Sequence, residues 1–234
     1  GAPDWKTAIN EIGDKLADTK PGTVAVVASA RQTNEELYLL KKLGAKFKAI
    51  TDSLPRYGEG DNLLVNADKN PNSTGAHLIG LTTKKLGQRL KRIAKGIESG
   101  EITTLFVFGE DVTKHGIPPK LLRKLDLLVV SDILPNATTE RAHYLLPGCA
   151  HAEKRGTFTN VKGRVQKFMA ALEAPGGARA EWKFLHELVE NVTGQNGFST
   201  IEGLFNQMAQ DVPAFASKEL TWAKLGDTGV SVDL

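Results

Sequence analysis

The sequence contains a single cysteine, Cys149, among 234 residues. One thiol cannot form an internal disulfide, and it cannot supply the ligands of an all-cysteine iron–sulfur cluster. No apolar run is long enough to span a bilayer, and no charged segment followed by an apolar one opens the chain. These absences exclude a disulfide scaffold and direct membrane insertion, and they favour a cytosolic setting.

Two common phosphate-binding motifs are also missing. The chain has neither a G-x-G-x-x-G fingerprint between a strand and a helix nor a G-x-x-x-x-G-K-[ST] loop. The loop "ASARQTNEE" after the first predicted strand offers a helix N-terminus, which is a potential anion site. Without glycine a phosphate approaches the backbone less easily, so helix capping is the favoured interpretation of this loop.

A strong excess of one charge is absent too. The formal net charge of +3 and the pI near 8.9 are mildly basic. One predicted helix region is rich in cations, and these are Lys84, Lys85, Arg89, Lys91, Arg92 and Lys95. Few aromatic residues accompany them, so a solvated helix face is favoured and nucleic acid is not an expected partner.

Reactive side chains are few and scattered. Cys149 and His151 form a C-x-H pair with His143 nearby, but a structural zinc site needs four ligands, so no metal is predicted. Four carboxylates lie near predicted strand ends, where α/β enzymes place catalytic groups, and these are Glu110, Asp111, Asp126 and Asp132. Since no serine or histidine is arranged with them, solvated loop carboxylates are favoured and no catalytic residue is predicted.

What the sequence does contain is a regular alternation of apolar strands and amphipathic helices. The predicted strands cover residues 23–29, 46–50, 104–109, 127–132 and 143–147. Thr33 and Glu36 form a predicted capping box, and Gly44 is the predicted stop of the same helix. The pattern predicts an α/β fold that is doubly wound, with a mostly parallel sheet and helices on both faces.

The last quarter of the chain is predicted to be helical. Ser199 and Glu202 form a second predicted capping box, ahead of an apolar helix. We therefore expect a domain over residues 1–175 and a helical C-terminal extension over residues 176–234 that packs on it. The opening Gly1-Ala2-Pro3 is typical of a cut end, so the chain is expected to be an excised fragment.

The stretch "EKRGTFTNVKGRVQKF", residues 153–168, predicts a β-hairpin after the last strand of the sheet. Gly163 is expected at positive φ in the turn. Phe158 and Val165 are expected to face the core, with the cations pointing to solvent.

The same stretch carries a family resemblance. The segment "AHYLLPGCAHAEKRGTFTNVKGRVQKF" resembles the C-terminal half of the molybdopterin oxidoreductases. The candidate cofactor-contacting residues that this resemblance implies are Glu153, Gly156, Thr157, Asn160, Gly163 and Arg164. They are interpreted as the remnant of a nucleotide-contacting segment. His143 departs from the family pattern, since aspartate is usual at its place.

Two further segments, "ASARQTNEELYLLKKL" and "LLVNADKNPNSTGAHLIGL", resemble the large iron–sulfur subunit of bacterial NADH:quinone oxidoreductase, complex I. The leading hypothesis is a non-catalytic scaffold portion of that subunit, supporting electron transfer from NADH to quinone. It implies other complex I subunits as partners and a position on the cytoplasmic side of the inner membrane. No cofactor is expected in this chain, because the iron–sulfur clusters would belong to N-terminal domains that it lacks.

Two alternatives remain open. In the first, the chain is the pterin-nucleotide-binding part of a molybdopterin oxidoreductase such as a formate dehydrogenase, with Gly156, Thr157 and Asn160 contacting the nucleotide. In the second, the chain is a free-standing interaction module that never joins an oxidoreductase.

Overall fold

The computed structural model describes residues 4–61, 63–195 and 197–234, so the expectation for Gly1-Ala2-Pro3 lies outside the described residues. Within these ranges no helix is both long enough and apolar enough to cross a membrane.

A five-stranded parallel sheet forms the centre of the molecule. Its strands are Val24–Ala28 (β1), Ile50–Ser53 (β2), Thr104–Phe108 (β3), Leu127–Asp132 (β4) and Tyr144–Pro147 (β5). They lie in the order β2-β1-β3-β4-β5. The three inner strands are continuous apolar runs, as expected for strands covered on both faces. The predicted α/β fold with a parallel sheet is confirmed.

Helices cover both faces of this sheet, because alternate residues of each strand point to opposite sides. One face packs against α1 (Trp5–Ala17), α2 (Asn34–Lys46), α6 (Glu181–Thr193) and α7 (Ile201–Asp211). The other face packs against α4 (Leu90–Ser99) and α5 (Pro119–Leu122). The short helices α3 (Ser73–Leu78) and α8 (Pro213–Ala216) complete the set, with 3₁₀ turns at Val112–His115, Thr139–Arg141 and His151–Glu153.

A small antiparallel sheet stands beside the large one. It joins β6 (Gly156–Thr159), β7 (Arg164–Phe168) and the C-terminal β8 (Val230–Ser231). The predicted hairpin is confirmed, and Gly163 in its turn has the expected positive φ of 78°.

The prediction that Phe158 faces the core is wrong. Thr157 and Thr159 occupy the buried face of β6 and bond to α2, whereas Phe158 lies on the opposite face, half-buried and tilted against Phe168. The polar N-terminal turn of α2 accepts hydroxyl groups better than a phenyl ring, and this reverses the expected facing. Val165 is fully buried, as predicted.

The second strand and the end of the preceding helix also differ from prediction. The helix α2 continues through Gly44 to Lys46, so the strand begins only at Ile50 rather than at Lys46. A Cβ on Gly44 would lie 3.0 Å from Thr51 Cγ2, so this glycine allows close packing inside the helix. Lys48, at φ 49°, makes the left-handed turn that Gly44 was expected to make.

At the start of α7 the predicted capping box is wrong by one residue. Thr200, not Ser199, is the N-cap, and its hydroxyl accepts a hydrogen bond from the Gly203 amide at 3.1 Å. Both residues are of the preferred type, so composition alone does not distinguish them.

The C-terminal helices belong to the same core as the sheet. Phe184 of α6 stacks on Trp5 of α1, and Phe205 and Met208 of α7 lie in the cluster that covers β1 and β3. The division of the chain into two domains at residue 175 stays a prediction.

Candidate functional site

A cavity of about 320 Å³ opens at the carboxyl edge of the parallel sheet. Ser29 follows β1, Gly109 follows β3, and Asp132 ends β4, and all three line this cavity. From β1 the sheet extends through β2 on one side and through β3, β4 and β5 on the other, so the strand order reverses between β1 and β3, and doubly wound sheets bind ligands at that point. The topology therefore places the cavity at the expected ligand position.

The loop after β1 forms one wall. Arg31 lies across the gap between the two strands, because its guanidinium donates to the Gly109 carbonyl at 2.6 Å and to Ser29 Oγ at 3.2 Å. Gly109 has a φ of 69°, and a Cβ there would approach Gln32 Nε2 to 2.9 Å. The glycine therefore keeps the strand end close to the loop, and Arg31 presents a cation at the mouth of the cavity.

A buried ion cluster forms the floor. Lys154 Nζ lies 2.9 Å from Glu36 Oε1 and 2.8 Å from Glu181 Oε2, and the three side chains are 3%, 0% and 2% exposed. Gln32 Oε1 accepts a longer hydrogen bond from the same ammonium, at 3.5 Å. Lys154, Glu181 and Gln32 line the cavity, so its floor offers both a buried donor and a buried acceptor.

The cluster contains two carboxyl groups but only one ammonium group, so its charges do not cancel when both carboxyls are ionised. Burial, and then the neighbouring carboxylate of Glu36, raise the pKa of Glu181 to about 7, although Lys154 opposes the shift. Burial disfavours the charge of Lys154, but Glu36 and Glu181 outweigh it and hold the pKa of Lys154 above its ordinary value. The ammonium therefore stays charged, and Glu181 is the group that gains or loses a proton near neutrality.

Apolar side chains form the remaining walls. Phe158 from β6, Ile133 after β4 and Pro71 from the loop before α3 line the cavity. A concave site with mostly apolar walls and a few polar groups is the usual form of a small-molecule site.

Cys149 lines the cavity but is not arranged as a reactive group. The side chain is buried, and burial together with the charge of Glu181 raises the pKa of its thiol to about 11. His143, considered above as a zinc ligand, accepts a hydrogen bond from the Leu128 amide at 2.8 Å. Among the residues that the structure describes, no three potential ligands lie close enough to hold a metal ion.

The candidate residues from the family resemblance stabilise the hairpin and its attachment to α2. Gly156 passes so close to α2 that a Cβ would lie 2.4 Å from Thr33 Cγ2. The amide and the hydroxyl of Thr157 donate to the carboxyl of Glu35 at 3.0 and 2.9 Å. Both residues are buried, and neither lines the cavity.

The other four candidates lie farther along the same stretch. Glu153 accepts a hydrogen bond from the Ala150 amide, and Asn160 accepts from the amides of Lys162 and Arg164 in the hairpin turn. Gly163 makes the turn itself, and the Arg164 guanidinium donates to the Thr228 carbonyl. The structure brings these residues together as a hairpin and not around one ligand position, so their contact with a nucleotide stays a prediction.

The N-terminus of α2 is closed by its own side chains. Thr33 and Glu36 form the predicted capping box, which is confirmed, and Glu35 and Glu36 are both fully buried in the first turn. Two carboxyl groups at this position disfavour an anion, so the interpretation of this loop as a helix cap holds. The part of the loop that lines the cavity is instead Ser29, Arg31 and Gln32.

Three of the four strand-end carboxylates differ from the solvated groups that were expected, and only Asp126 is exposed. Asp132 lines the cavity, and Glu110 is 1% exposed and pairs with Arg56 at 2.6 Å. Asp111 is 13% exposed and accepts hydrogen bonds from the hydroxyls of Thr113 and Thr138. The position of Asp132 at the end of a buried strand was the signal for the site. Lys154 and Glu181 gave no such signal, since they are 27 residues apart and meet only through the fold.

The fold is a doubly wound α/β domain with a cavity at its switch point, the position at which folds of this class bind their ligands. Residues 50–191, more than half of the chain, match the molybdopterin oxidoreductase family. The chain belongs to this family.

The chain is similar to the NADPH-Fe(3+) oxidoreductase subunit alpha of Geobacter sulfurreducens, with 37% identity over 136 residues. It is also similar to the F420-dependent formate dehydrogenase 1 subunit alpha of Methanococcus maripaludis, with 36% identity over 138 residues. Each match covers 56% of this chain but only 16% and 20% of the respective relative. The chain therefore spans about a fifth or less of the length of these curated relatives.

Among solved structures, the acetylene hydratase from Pelobacter acetylenicus matches 62% of this chain and 21% of its own chain. The sequence identity is 15% and the TM-score is 0.46, a value too low to establish a common fold.

Proposed function

We propose that this chain is the pterin-nucleotide-binding part of a molybdopterin oxidoreductase related to the formate dehydrogenases. The observation that carries the proposal is the cavity at the β1/β3 switch point, which has cations, a buried carboxyl and an aromatic wall in a member of this family. The similarity to a formate dehydrogenase alpha subunit supports this interpretation over the complex I scaffold that the sequence motifs favoured.

The residues around the cavity fit one end of a pterin nucleotide. A volume of about 320 Å³ suits one heterocycle with its attached sugar, since small-molecule pockets span roughly 300–1,000 Å³. Arg31 at the mouth would neutralise a phosphate, and Phe158 and Ile133 would cover the faces of a ring. The polar side chains of Lys154, Glu181 and Gln32 would form hydrogen bonds with the polar edge of that ring.

When bound, the molybdopterin group supplies the metal at which the substrate is oxidised. In this proposal the chain's own side chains bind and orient the nucleotide end and exclude water from it. None of them is assigned a catalytic role.

The proposal includes a larger assembly. Since the relatives named above are alpha subunits by name, we infer that this chain also works beside a partner subunit. A location on the cytoplasmic side of the membrane remains part of the proposal.

The second candidate is the scaffold portion of the large iron–sulfur subunit of complex I. It is supported by the six motif residues: five are engaged in the hairpin or in its attachment to α2, and Glu153 caps the 3₁₀ turn before the hairpin. In this case the cavity would be a remnant that binds no nucleotide.

Thermal melts separate the two candidates. Molybdopterin guanine dinucleotide, released from a loaded enzyme, is added at a hundred times the dissociation constant expected for a site. A ligand that binds only the folded chain then stabilises it by about 2.7 kcal/mol, a melting shift of roughly 5 to 10 °C. No shift would favour the scaffold.

A matched pair of variants tests whether the ligand binds in the cavity. Arg31→Gln should reduce the shift, because it removes the cation at the cavity mouth. Arg123→Gln, which changes an exposed cation beside α5 on the other face of the sheet, should leave the shift unchanged. In parallel, molybdenum, tungsten and pterin are measured in the full-length gene product purified without oxygen.

A further inference from the structure

The floor of the cavity contains one more carboxyl group than its ammonium can neutralise. Lys154 Nζ lies within 3 Å of a carboxylate oxygen of both Glu36 and Glu181, and none of the three side chains is more than 3% exposed. If both carboxyls were ionised, the cluster would keep one uncompensated negative charge away from water, which is strongly unfavourable. The cluster therefore holds one proton or requires a donor from a ligand.

Glu181 is the member of the pair that a ligand can reach. It lines the cavity together with Lys154, whereas Glu36 lies behind them, with Oε2 accepting a hydrogen bond from the Thr33 amide at 2.9 Å. Glu181 also accepts a long hydrogen bond from the Cys149 amide, at 3.3 Å. Gly148 lets this carboxyl come close to the chain, since a Cβ there would meet Glu181 Oε1 at 2.4 Å.

We propose that Glu181 determines which heterocycle the cavity binds. Its ionised carboxyl accepts a hydrogen bond from a ring N–H, while Lys154 donates to the adjacent carbonyl oxygen, and binding is linked to the loss of a proton from Glu181. An ionised carboxyl beside a fixed ammonium matches a ring edge with an N–H next to a carbonyl oxygen, the lactam edge that guanine and pterin share. This inference rests on the proposed function and specifies the ligand class for the same cavity.

The proton linkage follows from the charge balance. A ligand N–H that bonds to Glu181 favours the ionised carboxyl, so binding releases the proton that the empty cluster holds. Since burial raises the pKa of this carboxyl to about 7, affinity should increase as pH rises toward 7 and level off above it.

Other titratable and charged groups surround Glu181, and a test must separate them from it. They are Glu36 on α2, Arg31 after β1, Asp132 on β4, and Cys149, His151 and Lys154 after β5. The thiol of Cys149 stays neutral in the relevant range, because burial raises its pKa to about 11. His151 and Asp132 therefore need their own variants.

The test is isothermal titration of the whole chain with 3′,5′-cyclic GMP between pH 5.5 and 8.5, in two buffers of different ionisation enthalpy. The phosphodiester of this ligand does not titrate in that range, unlike the terminal phosphate of a nucleoside diphosphate. We expect the dissociation constant to fall about tenfold per pH unit below 7, with close to one proton released per ligand at the acid end. Cyclic IMP, which keeps the lactam edge, should behave alike, and cyclic AMP, which lacks it, should bind at least tenfold more weakly.

The variants decide the assignment. Glu181→Gln should remove the pH dependence and the proton release, while Glu187→Gln, a half-exposed carboxyl of the same helix outside the cavity, should retain both. His151→Gln and Asp132→Asn should also retain the pH dependence. A pH dependence that persists in Glu181→Gln, a pH dependence lost in His151→Gln, equal binding of cyclic AMP and cyclic GMP, or no binding of cyclic GMP at millimolar concentration would each overturn the inference.

Failure here is distinguishable from failure of the proposed function. If pterin is present in the full-length protein while the pH dependence persists in Glu181→Gln, the pterin-nucleotide proposal stands and only the role of Glu181 is wrong. If the full-length protein contains no pterin, the proposed function itself is wrong.

Discussion

Gly163 is held by two separate constraints, and each has its own energetic consequence. Its φ of 78° disfavours any residue with a Cβ, and such an atom would lie 2.6 Å from the Val232 carbonyl. The tight contact exists because β8 returns to β7, where the Val232 amide donates to the Gly163 carbonyl at 2.9 Å. The glycine therefore couples the hairpin to the C-terminus of the chain.

We predict that Gly163→Ala destabilises the protein more than a glycine replacement that changes φ preference alone. Gly100, at φ 80° with nothing within 4 Å of a Cβ added there, is the matched control. Gly100→Ala should cost about 1–2 kcal/mol and Gly163→Ala about 1–3 kcal/mol more. Urea unfolding of both variants measures the difference, and equal losses would contradict the second constraint.

Glu35 is the most deeply buried carboxyl in the attachment of the hairpin. Burial raises the pKa of Glu35 to about 7 from an ordinary value of 4.5, although hydrogen bonds from Thr157 oppose the shift. Between these values the folded state binds more protons than the unfolded state, so the free energy of unfolding falls as pH rises. The contribution is fully present below about pH 4.5 and is lost as pH passes through 7.

We predict that Glu35→Gln weakens this pH dependence. An amide imitates the protonated carboxyl, since it can accept from the Thr157 amide and donate to its hydroxyl. The variant should match the wild type at pH 5 and exceed it by roughly 1–3 kcal/mol at pH 8. Denaturant unfolding at both pH values checks this. Glu181 titrates in the same range, so some pH dependence should remain, but an unchanged difference between pH 5 and pH 8 would refute the role of Glu35.

At the scale of single elements, the start of α7 offers a direct test of a cap. Thr200→Ala removes the hydroxyl that accepts from the Gly203 amide and should cost about 1 kcal/mol, a melting decrease of roughly 2 to 4 °C. Ser199→Ala should change stability by less than about 0.5 kcal/mol. If the two variants lose stability equally, or Ser199→Ala loses more, the observed cap is wrong.

Elements that depend on their own sequence could be predicted, and elements that depend on a neighbour could not. The inner strands, the capping box of Thr33 and the turn at Gly163 follow from local composition. The end of α2 does not, because Gly44 lies inside the helix and packs closely against Thr51 of the adjacent strand, a contact that the local sequence does not reveal. The facing of Phe158 likewise depends on α2, which is far away in sequence.

The candidate site shows the same limit more strongly. Its location at the carboxyl edge follows from the strand order, and Asp132 was visible as a strand-end residue. The ion cluster was not predictable, since Glu36, Lys154 and Glu181 come from three distant segments and none belongs to a motif that binds a known group. Local motifs identified the hairpin, whereas long-range packing created the cavity floor.

At the scale of the whole molecule, one face of the sheet depends on both ends of the chain. The Trp5 indole of α1 donates to the Gly177 carbonyl at 2.8 Å and stacks on Phe184 of α6. We predict that residues 1–175 alone fail to form a stable domain, because removing α6 and α7 exposes a large apolar face. Soluble expression and analytical gel filtration test this, and a monodisperse, cooperatively folding fragment would contradict it.

The sheet face that α6 and α7 cover also matters while the chain is being synthesised. The ribosome completes β5 at residue 147 and α7 only at residue 211. At about 5–20 residues per second, the nascent sheet waits roughly 3 to 13 s before its last helices can cover it. During that interval the emerging chain presents Phe106, Phe108 and Leu146 to solvent and to chaperones. Slower codons between these two points would lengthen the wait, so synonymous changes there should lower the soluble yield without altering a single amino acid.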